Sequence, residues 1–146
     1  MKLIILSEGR EKADPAAPMV ADYFKRLKKF ADVEDQVLRP GAKIDLTAKV
    51  TQQQDKGSFI VAMDERGKEY TSRQFSNQLT QWIETAPSSI TFVIGGAEGL
   101  PSEIKSIAKS TFALSKMTLP HRFARLLLME QLYRAFCIQK NIPYHK

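Results

Sequence analysis

Short apolar runs alternate with stretches of helical periodicity along this chain, and that alternation limits the folds open to it. The runs KLIILSEG, SFIVAMD and SITFVIGG are short and close on glycine or polar residues, as buried strands do. A weaker run, VEDQVL, lies between the first two, and TFALSKMTL is interpreted as a fifth strand or an extended loop. Strands that alternate with helices predict an α/β sandwich, in which helices cover a mainly parallel sheet.

Helical segments follow these runs. In the first, apolar residues such as Val20, Phe24 and Leu27 recur at steps of three and four, which places them on one helix face. The polar segment ERGKEYT (65–71) is expected to form a turn before the third helix. Helices are predicted from Pro15 and Pro18 to Phe30, over 43–56, from a cap at Ser72 to about Glu84, in a short segment after Pro101, and over 121–139.

Length and cysteine content set further bounds. The 146 residues match one domain, predicted to span 1–146. Cys137 is the only cysteine, so no intramolecular disulfide can form, which fits a reducing cytoplasm. No apolar run approaches the ~20 residues of a membrane span, and MKLIILSEGR is interpreted as a first strand instead of a signal peptide. His121, His145 and Cys137 lack metal-ligand spacing, so no metal site is expected.

Basic residues are concentrated at the C-terminal end of the chain. The formal net charge is +6, and most of it comes from segment 115–146, where Glu130 is the one acidic residue. A basic end on a nearly neutral chain favours a polyanionic partner such as RNA, and ordinary solubility charge is the alternative explanation. The basic residues of the segment are Lys116, Arg122, Arg125, Arg134, Lys140 and Lys146.

The segment FVIGGAEGLPSEI (92–104) joins an apolar run to a predicted helix through three glycines. A P-loop requires Lys-Ser or Lys-Thr after its last glycine, where this segment has Leu100 and Pro101, and the order G-G-x-x-G is not the dinucleotide fingerprint. Glu98 would also repel a phosphate. Two interpretations remain. The glycines only form a tight turn, or their backbone holds a ligand without phosphates, such as an adenosine attached to a sulfonium.

Three predicted strand ends carry unusual residues. These are Met63-Asp64, Gly95-Gly96 and the segment 115–120. In open α/β sheets, ligands bind at the carboxyl ends of the strands. We therefore expect the three ends to form one pocket.

The last predicted helix is apolar on more than one side. Leucine, methionine and aromatic residues occupy most of its circumference in HRFARLLLMEQLYRAFCIQK. Such a helix needs cover from a second subunit, or it is a central helix buried within one subunit. Glu130 and Arg134 have the spacing of a helix ion pair. Arg122 and Arg125 are expected on one exposed strip that suits phosphates.

Several motifs together carry a family resemblance. FVIGGAEGL, ALSKMTLPHRFARLLLMEQLYRA and PYHK, with AMDERGKEYTSRQF and MKLIILSEG upstream, are similar to the RlmH family, bacterial SPOUT-class methyltransferases of large-subunit ribosomal RNA. The resemblance implies a trefoil knot in the C-terminal part, a homodimer, and S-adenosylmethionine (SAM) as the methyl donor. It also implies that the methyl acceptor is N3 of a pseudouridine in a hairpin loop of 23S rRNA, within the assembled ribosome.

The same resemblance implies roles for individual residues. Ala97 and Ile142 stand where family members usually have proline and histidine. Because the histidine at 142 is missing, the catalytic role expected of the tail is assigned to Tyr144 and His145. We expect His145 to accept the N3 proton, with His121 as the alternative acceptor. The expected catalytic residues are His145, Tyr144, Arg125 and His121; the expected cofactor-binding residues are Met63, Gly96, Ser115, Lys116, Met117, Thr118, Leu119 and Pro120; the expected RNA-binding residues are Arg122, Arg125 and Lys146.

Two other functions fit the same residues. The basic end could bind RNA in a module without catalysis, or the strand ends could bind a small nucleotide as a sensor. The charge distribution favours RNA, and the lack of a P-loop or G-x-G-x-x-G motif weakens the sensor interpretation.

Overall fold

A five-stranded parallel sheet forms the centre of the computed structural model, which describes residues 1–9 and 13–146. The strand order is β2-β1-β4-β3-β5, and every neighbouring pair is parallel. The strands are β1 (Lys2–Glu8), β2 (Asp32–Leu38), β3 (Ser58–Glu69), β4 (Ser89–Ile94) and β5 (Ser110–Ala113). The helices are α1 (Ala17–Leu27), α2 (Leu46–Asp55), α3 (Ser72–Thr85), α4 (Ser102–Ile107) and α5 (His121–Gln139). The predicted alternation of strands and helices is confirmed.

Helices cover the sheet on both faces, and the side chains of β1 show this arrangement. Leu3 and Ile5 point to one side, where they join a core with α1, α3 and α5. Ile4 and Leu6 point to the other side, into a smaller core with α2 and α4. A strand buried on both faces has a continuous apolar sequence, which is why KLIIL lacks the polar alternation of a surface strand.

The predicted polar turn at ERGKEYT is wrong. Strand β3 continues to Glu69, because its register shifts after Met63 and Lys68 then pairs with Phe112 of β5. Gly67 makes this pairing possible, since a Cβ there would lie 2.8 Å from the backbone nitrogen of Phe112. A non-local strand partner therefore gives a polar, glycine-containing segment an extended conformation.

Helix boundaries differ from the predictions by a few residues. The cap of α3 is Thr71 and not Ser72: its hydroxyl accepts from the Gln74 amide, and the Gln74 side chain accepts from the Thr71 amide. At α2, the Asp45 carboxylate is the cap and accepts from the Ala48 amide, so α2 begins later than residue 43. Residues 28–30 form a turn after α1, which therefore ends before Phe30. The run TFALSKMTL divides into strand β5 and an irregular connection, 114–120.

Helix α5 has the predicted bounds and lies between α1 and α3 on the sheet. Leu128, Met129 and Leu132 are fully buried within one subunit, so the interpretation as a central helix explains most of its apolar surface. Phe123 and Leu127 remain 54% and 41% exposed, one turn apart. These two side chains are the part of α5 that the subunit itself leaves uncovered.

None of the described helices is both long and apolar enough to cross a membrane. Within residues 1–9 and 13–146, no cluster of three or more histidine, cysteine or acidic side chains has the arrangement of a metal site.

Candidate active site

The three strand ends selected from the sequence line one cavity of about 750 Å³. It lies beside the carboxyl ends of β4 and β5 and beside the register shift that follows Met63 in β3, so the predicted convergence of the three segments is confirmed. Its volume falls within the usual range for small-molecule sites, about 300–1,000 Å³. The lining residues are Met63, Asp64, Glu65, Arg66, Ile94, Gly95, Gly96, Ala97, Glu98, Gly99, Leu100, Lys105, Phe112, Leu114, Ser115, Met117, Thr118, Leu119, Pro120, His121 and Ala124.

The glycine turn has a structural part and a part that faces the cavity. The Gly99 amide donates to the Gly96 carbonyl at 3.0 Å, and Gly99 has φ +77°, which favours glycine. A Cβ on Gly95 would lie 2.5 Å from the carbonyl carbon of Gly99, so Gly95 is needed to close the turn. Gly96 is different, because the nearest atom to an added Cβ is the movable Oε1 of Glu8, at 3.0 Å. Backbone contact thus explains Gly95 and the positive φ explains Gly99, whereas a side chain at Gly96 requires only that the Glu8 carboxylate move.

An ion pair closes one wall of the cavity. The Lys105 ammonium, carried by α4, lies 2.8 Å from Oδ2 of Asp64, which follows Met63 at the register shift of β3. Asp64 also accepts from the Arg66 amide at 3.0 Å. The hydrogen bond from Lys105, followed by that from the Arg66 amide, lowers the pKa of Asp64 below its usual value. The sequence analysis missed Lys105, because nothing in its local pattern places α4 beside β3.

The connection 114–120 is held across the cavity by side-chain hydrogen bonds. The Thr118 hydroxyl donates to a carboxylate oxygen of Glu65, 53 residues earlier in the chain. The Met117 amide donates to the Ser115 hydroxyl at 3.0 Å, and the Met117 side chain is 75% exposed. Ser115, Met117, Thr118, Leu119 and Pro120 all line the cavity. Lys116 does not belong to this lining, and its ammonium lies 3.7 Å from Glu69.

The first turn of α5 brings His121 and Ala124 to the cavity. Arg125 follows, but its side chain is only 16% exposed and forms a two-point ion pair with Asp35. Its Nη1 also lies 3.9 Å from Oδ2 of Asp14. The expectation that Arg125 lies on an exposed strip is therefore wrong. Arg122, which is half-buried, donates to the carbonyl of Ala13 at 3.2 Å.

The C-terminal tail folds back on the outer side of α5 and α1. The Tyr144 ring contacts Tyr133 edge-on at 4.7 Å, and its hydroxyl donates to Oε1 of Glu130 at 3.0 Å. Tyr23 on α1 lies 2.8 Å from the same hydroxyl. Burial, and then the hydrogen bonds to Tyr23 and Glu130, raise the pKa of Tyr144. Neither Tyr144 nor His145 lines the cavity of its own subunit.

The Glu130–Arg134 ion pair predicted from the helix spacing is confirmed. Nη2 of Arg134 lies 2.5 Å from Oε1 of Glu130, and both side chains are largely buried. The Arg134 guanidinium lies over the Tyr144 ring at 4.8 Å, and its Nη1 is 3.1 Å from Nδ1 of His145. Helix spacing alone does not indicate that this local pair also binds the tail. Lys146, the predicted RNA-binding residue of the tail, is exposed.

Known proteins that are similar to this chain are methyltransferases. A family described as predicted SPOUT methyltransferases matches residues 1–145. The ribosomal RNA large subunit methyltransferase H of Polynucleobacter asymbioticus is 40% identical over 151 residues, which cover 100% of this chain and 99% of that protein. The chain belongs to the ribosomal RNA large subunit methyltransferase H family. The enzyme of that name from Maridesulfovibrio salexigens is 41% identical and covers 99% of this chain and 97% of its own length.

Solved structures support the fold of this methyltransferase H family member. A probable methylase family protein from Haemophilus influenzae has a TM-score of 0.58 and 13% identity, over 99% of this chain and 70% of its own. A TrmH/SpoU tRNA modifying enzyme of A. aeolicus has a TM-score of 0.52 and 13% identity, over 96% and 77% of the two chains. At this identity, the likeness concerns the fold alone.

Proposed function

We propose that this protein transfers a methyl group from SAM to N3 of a pseudouridine in a hairpin loop of 23S rRNA, within the assembled ribosome. The observation that carries the proposal is the meeting of three strand ends in one cavity, whose lining includes seven of the eight residues that the family resemblance assigns to the cofactor. Family membership over the whole chain supports methyl transfer to large-subunit rRNA. The exact base and the assembled particle come from the resemblance alone.

The residues of the cavity fit SAM. Met63, Leu114 and Leu119 provide apolar surface for the adenine, and the lack of a side chain at Gly96, which lines the cavity, lets a ligand approach the backbone closely. Glu65 and Glu98 place carboxylates around a space that would hold a sulfonium cation, whereas the Asp64 carboxylate is paired with Lys105. The same carboxylates oppose a phosphate ligand, which argues against a nucleotide sensor.

SAM, when bound, supplies an electrophilic methyl group. The protein then has to align the acceptor base and help to remove one proton from N3. His121, in the lining, and His145, in the tail, are the two histidine side chains that the family resemblance offers for this step. Because Arg125 is neutralised by Asp35, we assign it to holding the first turn of α5 in place. Arg122 and Lys146 remain the proposed phosphate contacts.

The proposed enzyme is a homodimer whose tail acts on the cavity of the partner subunit. Two observations support this. His145 and Tyr144 lie outside the cavity of their own subunit, and three large apolar side chains are exposed, namely Met117 in the cavity lining and Phe123 and Leu127 on α5. The same proposal includes one domain over 1–146, a C-terminal trefoil knot whose loop 115–120 wraps the cofactor, and a cytoplasmic location.

The direct test is methylation of ribosomes from a strain that lacks the endogenous enzyme. Purified protein and labelled SAM would be mixed with 70S particles, with 50S subunits and with free 23S rRNA, and the modified position would be mapped. We expect one methyl group, on N3 of a pseudouridine, and the highest rate on the 70S particle. Modification at another position would overturn the base assignment, and equal rates on free rRNA would overturn the requirement for an assembled particle.

A calorimetric titration with SAM would separately exclude an RNA-binding module that lacks catalysis, because such a module would release no heat.

A further inference from the structure

The hydrogen bonds around the tail have only one possible direction. Glu130 offers a carboxylate oxygen, which accepts from Arg134 at 2.5 Å and from the Tyr144 hydroxyl at 3.0 Å. The single hydrogen of the Tyr144 hydroxyl is thereby used, so the Tyr23 hydroxyl, 2.8 Å away, donates to Tyr144. Each donor in this cluster is therefore fixed by the acceptor next to it.

The contact between Arg134 and His145 also has a fixed donor and a fixed acceptor. Its Nη1 lies 3.1 Å from Nδ1 of the imidazole. A guanidinium has five N–H donors and no acceptor, so the hydrogen in this contact belongs to Arg134, and Nδ1 of His145 must be the acceptor. A neutral imidazole that accepts at Nδ1 carries its hydrogen on Nε2. The ring nitrogen that Arg134 leaves available is therefore a donor.

We propose that Arg134 fixes His145 as the Nε2–H tautomer, so that His145 serves methyl transfer as a hydrogen-bond donor and not as the acceptor of the N3 proton. This inference rests on the proposed function. In a uracil-type ring, N3 lies between two carbonyl groups, and loss of its proton places negative charge on their oxygens. An Nε2–H directed at one of these oxygens would stabilise that charge. Arg134 is then a positioning residue, which acts through His145.

The other tail residue does not replace His145 as a base. The Tyr144 hydroxyl donates to Glu130, and its raised pKa keeps it protonated near neutral pH. Neither of these two side chains therefore offers a base: Tyr144 stays protonated, and the ring nitrogen of His145 that Arg134 leaves available is a donor. The proton from N3 passes to His121, which lines the cavity, or to water.

The tautomer can be measured without any activity. The chain has two histidines, so protein labelled with ¹⁵N-histidine gives two ring systems, and a His121→Gln variant assigns them. Long-range ¹H–¹⁵N spectra of the wild-type protein should show Nε2 of His145 as protonated and Nδ1 as unprotonated. Arg134→Lys keeps a donor and should keep this pattern, whereas Arg134→Met should move it towards the averaged pattern of a free imidazole. A proton on Nδ1 in the wild-type protein would overturn the proposal.

A pair of substitutions tests the role in the reaction. His145→Gln places an amide N–H near the position of Nε2 but provides no base, whereas His145→Leu removes both functions. We expect His145→Gln to retain kcat within about tenfold of wild type and His145→Leu to lose about 100-fold or more, the scale of one charge-stabilising donor. Equal losses of about 100-fold in both variants would show that His145 is the base and would overturn the proposal. The dissociation constant for SAM should stay unchanged in both variants.

The two proposals fail separately in these experiments. If no pseudouridine is methylated, the function is wrong, and the spectra still decide the tautomer. If methylation occurs and Nδ1 carries the hydrogen, only the role of His145 is wrong.

Discussion

Arg125 on α5 and Asp35 on β2 form a two-point ion pair across 90 residues of sequence. Both side chains are largely buried, at 16% and 11% exposed. The pair lies one helical turn from His121, which lines the cavity, so it fixes the start of α5 relative to the strand ends. Asp14 adds a second carboxylate near the same guanidinium, at 3.9 Å.

Removal of Asp35 should therefore destabilise the protein. In Asp35→Ala, the Arg125 guanidinium stays largely buried and loses its main partner, so the free energy of unfolding should fall by about 2–3 kcal/mol, somewhat less than for a fully buried pair. Urea denaturation followed by circular dichroism measures this loss. Asp22→Ala is the matched control, since Asp22 pairs with Arg26 on the exposed side of α1 and its removal should leave stability almost unchanged. Similar small effects in both variants would contradict the structural role of the Arg125 pair.

The two adjacent glycines of the turn should respond differently to the same substitution. In Gly95→Ala, the new Cβ would lie 2.5 Å from backbone atoms of Gly99, and the turn has to move, at a cost of about 1–3 kcal/mol in the free energy of unfolding. In Gly96→Ala, only the Glu8 side chain has to move, so stability should change by less than about 1 kcal/mol. Gly96 lines the cavity, and a methyl group that displaces the Glu8 carboxylate there changes the wall of the proposed cofactor site, so the affinity for SAM in calorimetry should fall at least about tenfold. Unchanged SAM affinity in Gly96→Ala would remove this position from the cofactor site.

Local patterns predicted helix α5, its internal Glu130–Arg134 ion pair and the cavity, but not the ion pairs between elements. Helix α5 is a long apolar segment that Pro120 precedes and Pro143 follows, so its bounds could be read from the sequence. The cavity followed from a general property of parallel sheets, namely that ligands bind at their carboxyl ends. Arg125 was misplaced because the spacing of arginines along a helix says nothing about Asp35 on a distant strand.

The extension of β3 was missed for the same physical reason. ERGKE has the composition of a turn, and only its pairing with β5, more than 40 residues later, makes it a strand. Lys105 and Glu65 were also missed, because each acts on the cavity through a partner from another element, Asp64 and Thr118 respectively. Contacts between elements that are distant in sequence therefore account for the main errors.

The Asp64–Lys105 pair should make stability depend on pH. Because the folded state lowers the pKa of Asp64, the stability that this group contributes is complete above its unfolded pKa of about 3.9 and is lost as the pH falls through the folded pKa. The loss in free energy of unfolding between about pH 6 and about pH 2 should therefore be smaller in Asp64→Asn than in wild type. Lys105→Gln removes the same pair from the other side and should also reduce the loss. Identical pH dependence in all three proteins would mean that the pair contributes nothing.

The hydrogen bond from Thr118 to Glu65 should hold the connection 114–120 over a bound cofactor. Thr118→Val keeps the size of the side chain but leaves Glu65 without this donor. One hydrogen bond of this kind contributes about 0.5–1.5 kcal/mol, so the dissociation constant for SAM should rise about two- to tenfold. Stopped-flow measurement should show the change mainly in the dissociation rate. Ser106→Ala is a control, because the Ser106 hydroxyl bonds only within α4, to the Glu103 carbonyl, and lies outside the cavity lining. A normal dissociation rate in Thr118→Val would show that the connection stays in place without this bond.

Deletion of residues 144–146 should separate cofactor binding from catalysis. Tyr144 and His145 contact α1 and α5 but do not line the cavity of their own subunit, so the truncated protein should bind SAM with unchanged affinity and remain a dimer. Methylation of ribosomes should be abolished, because the donors proposed to face the base are gone. Mixing the truncated protein with an excess of a full-length Gly96→Val variant, in which SAM binding is blocked, should restore activity. A mixed dimer joins an intact cavity from one subunit to an intact tail from the other. Normal turnover by the truncated protein alone would refute the role of the tail, and a lack of restoration despite mixed dimers would place the tail's action within its own subunit.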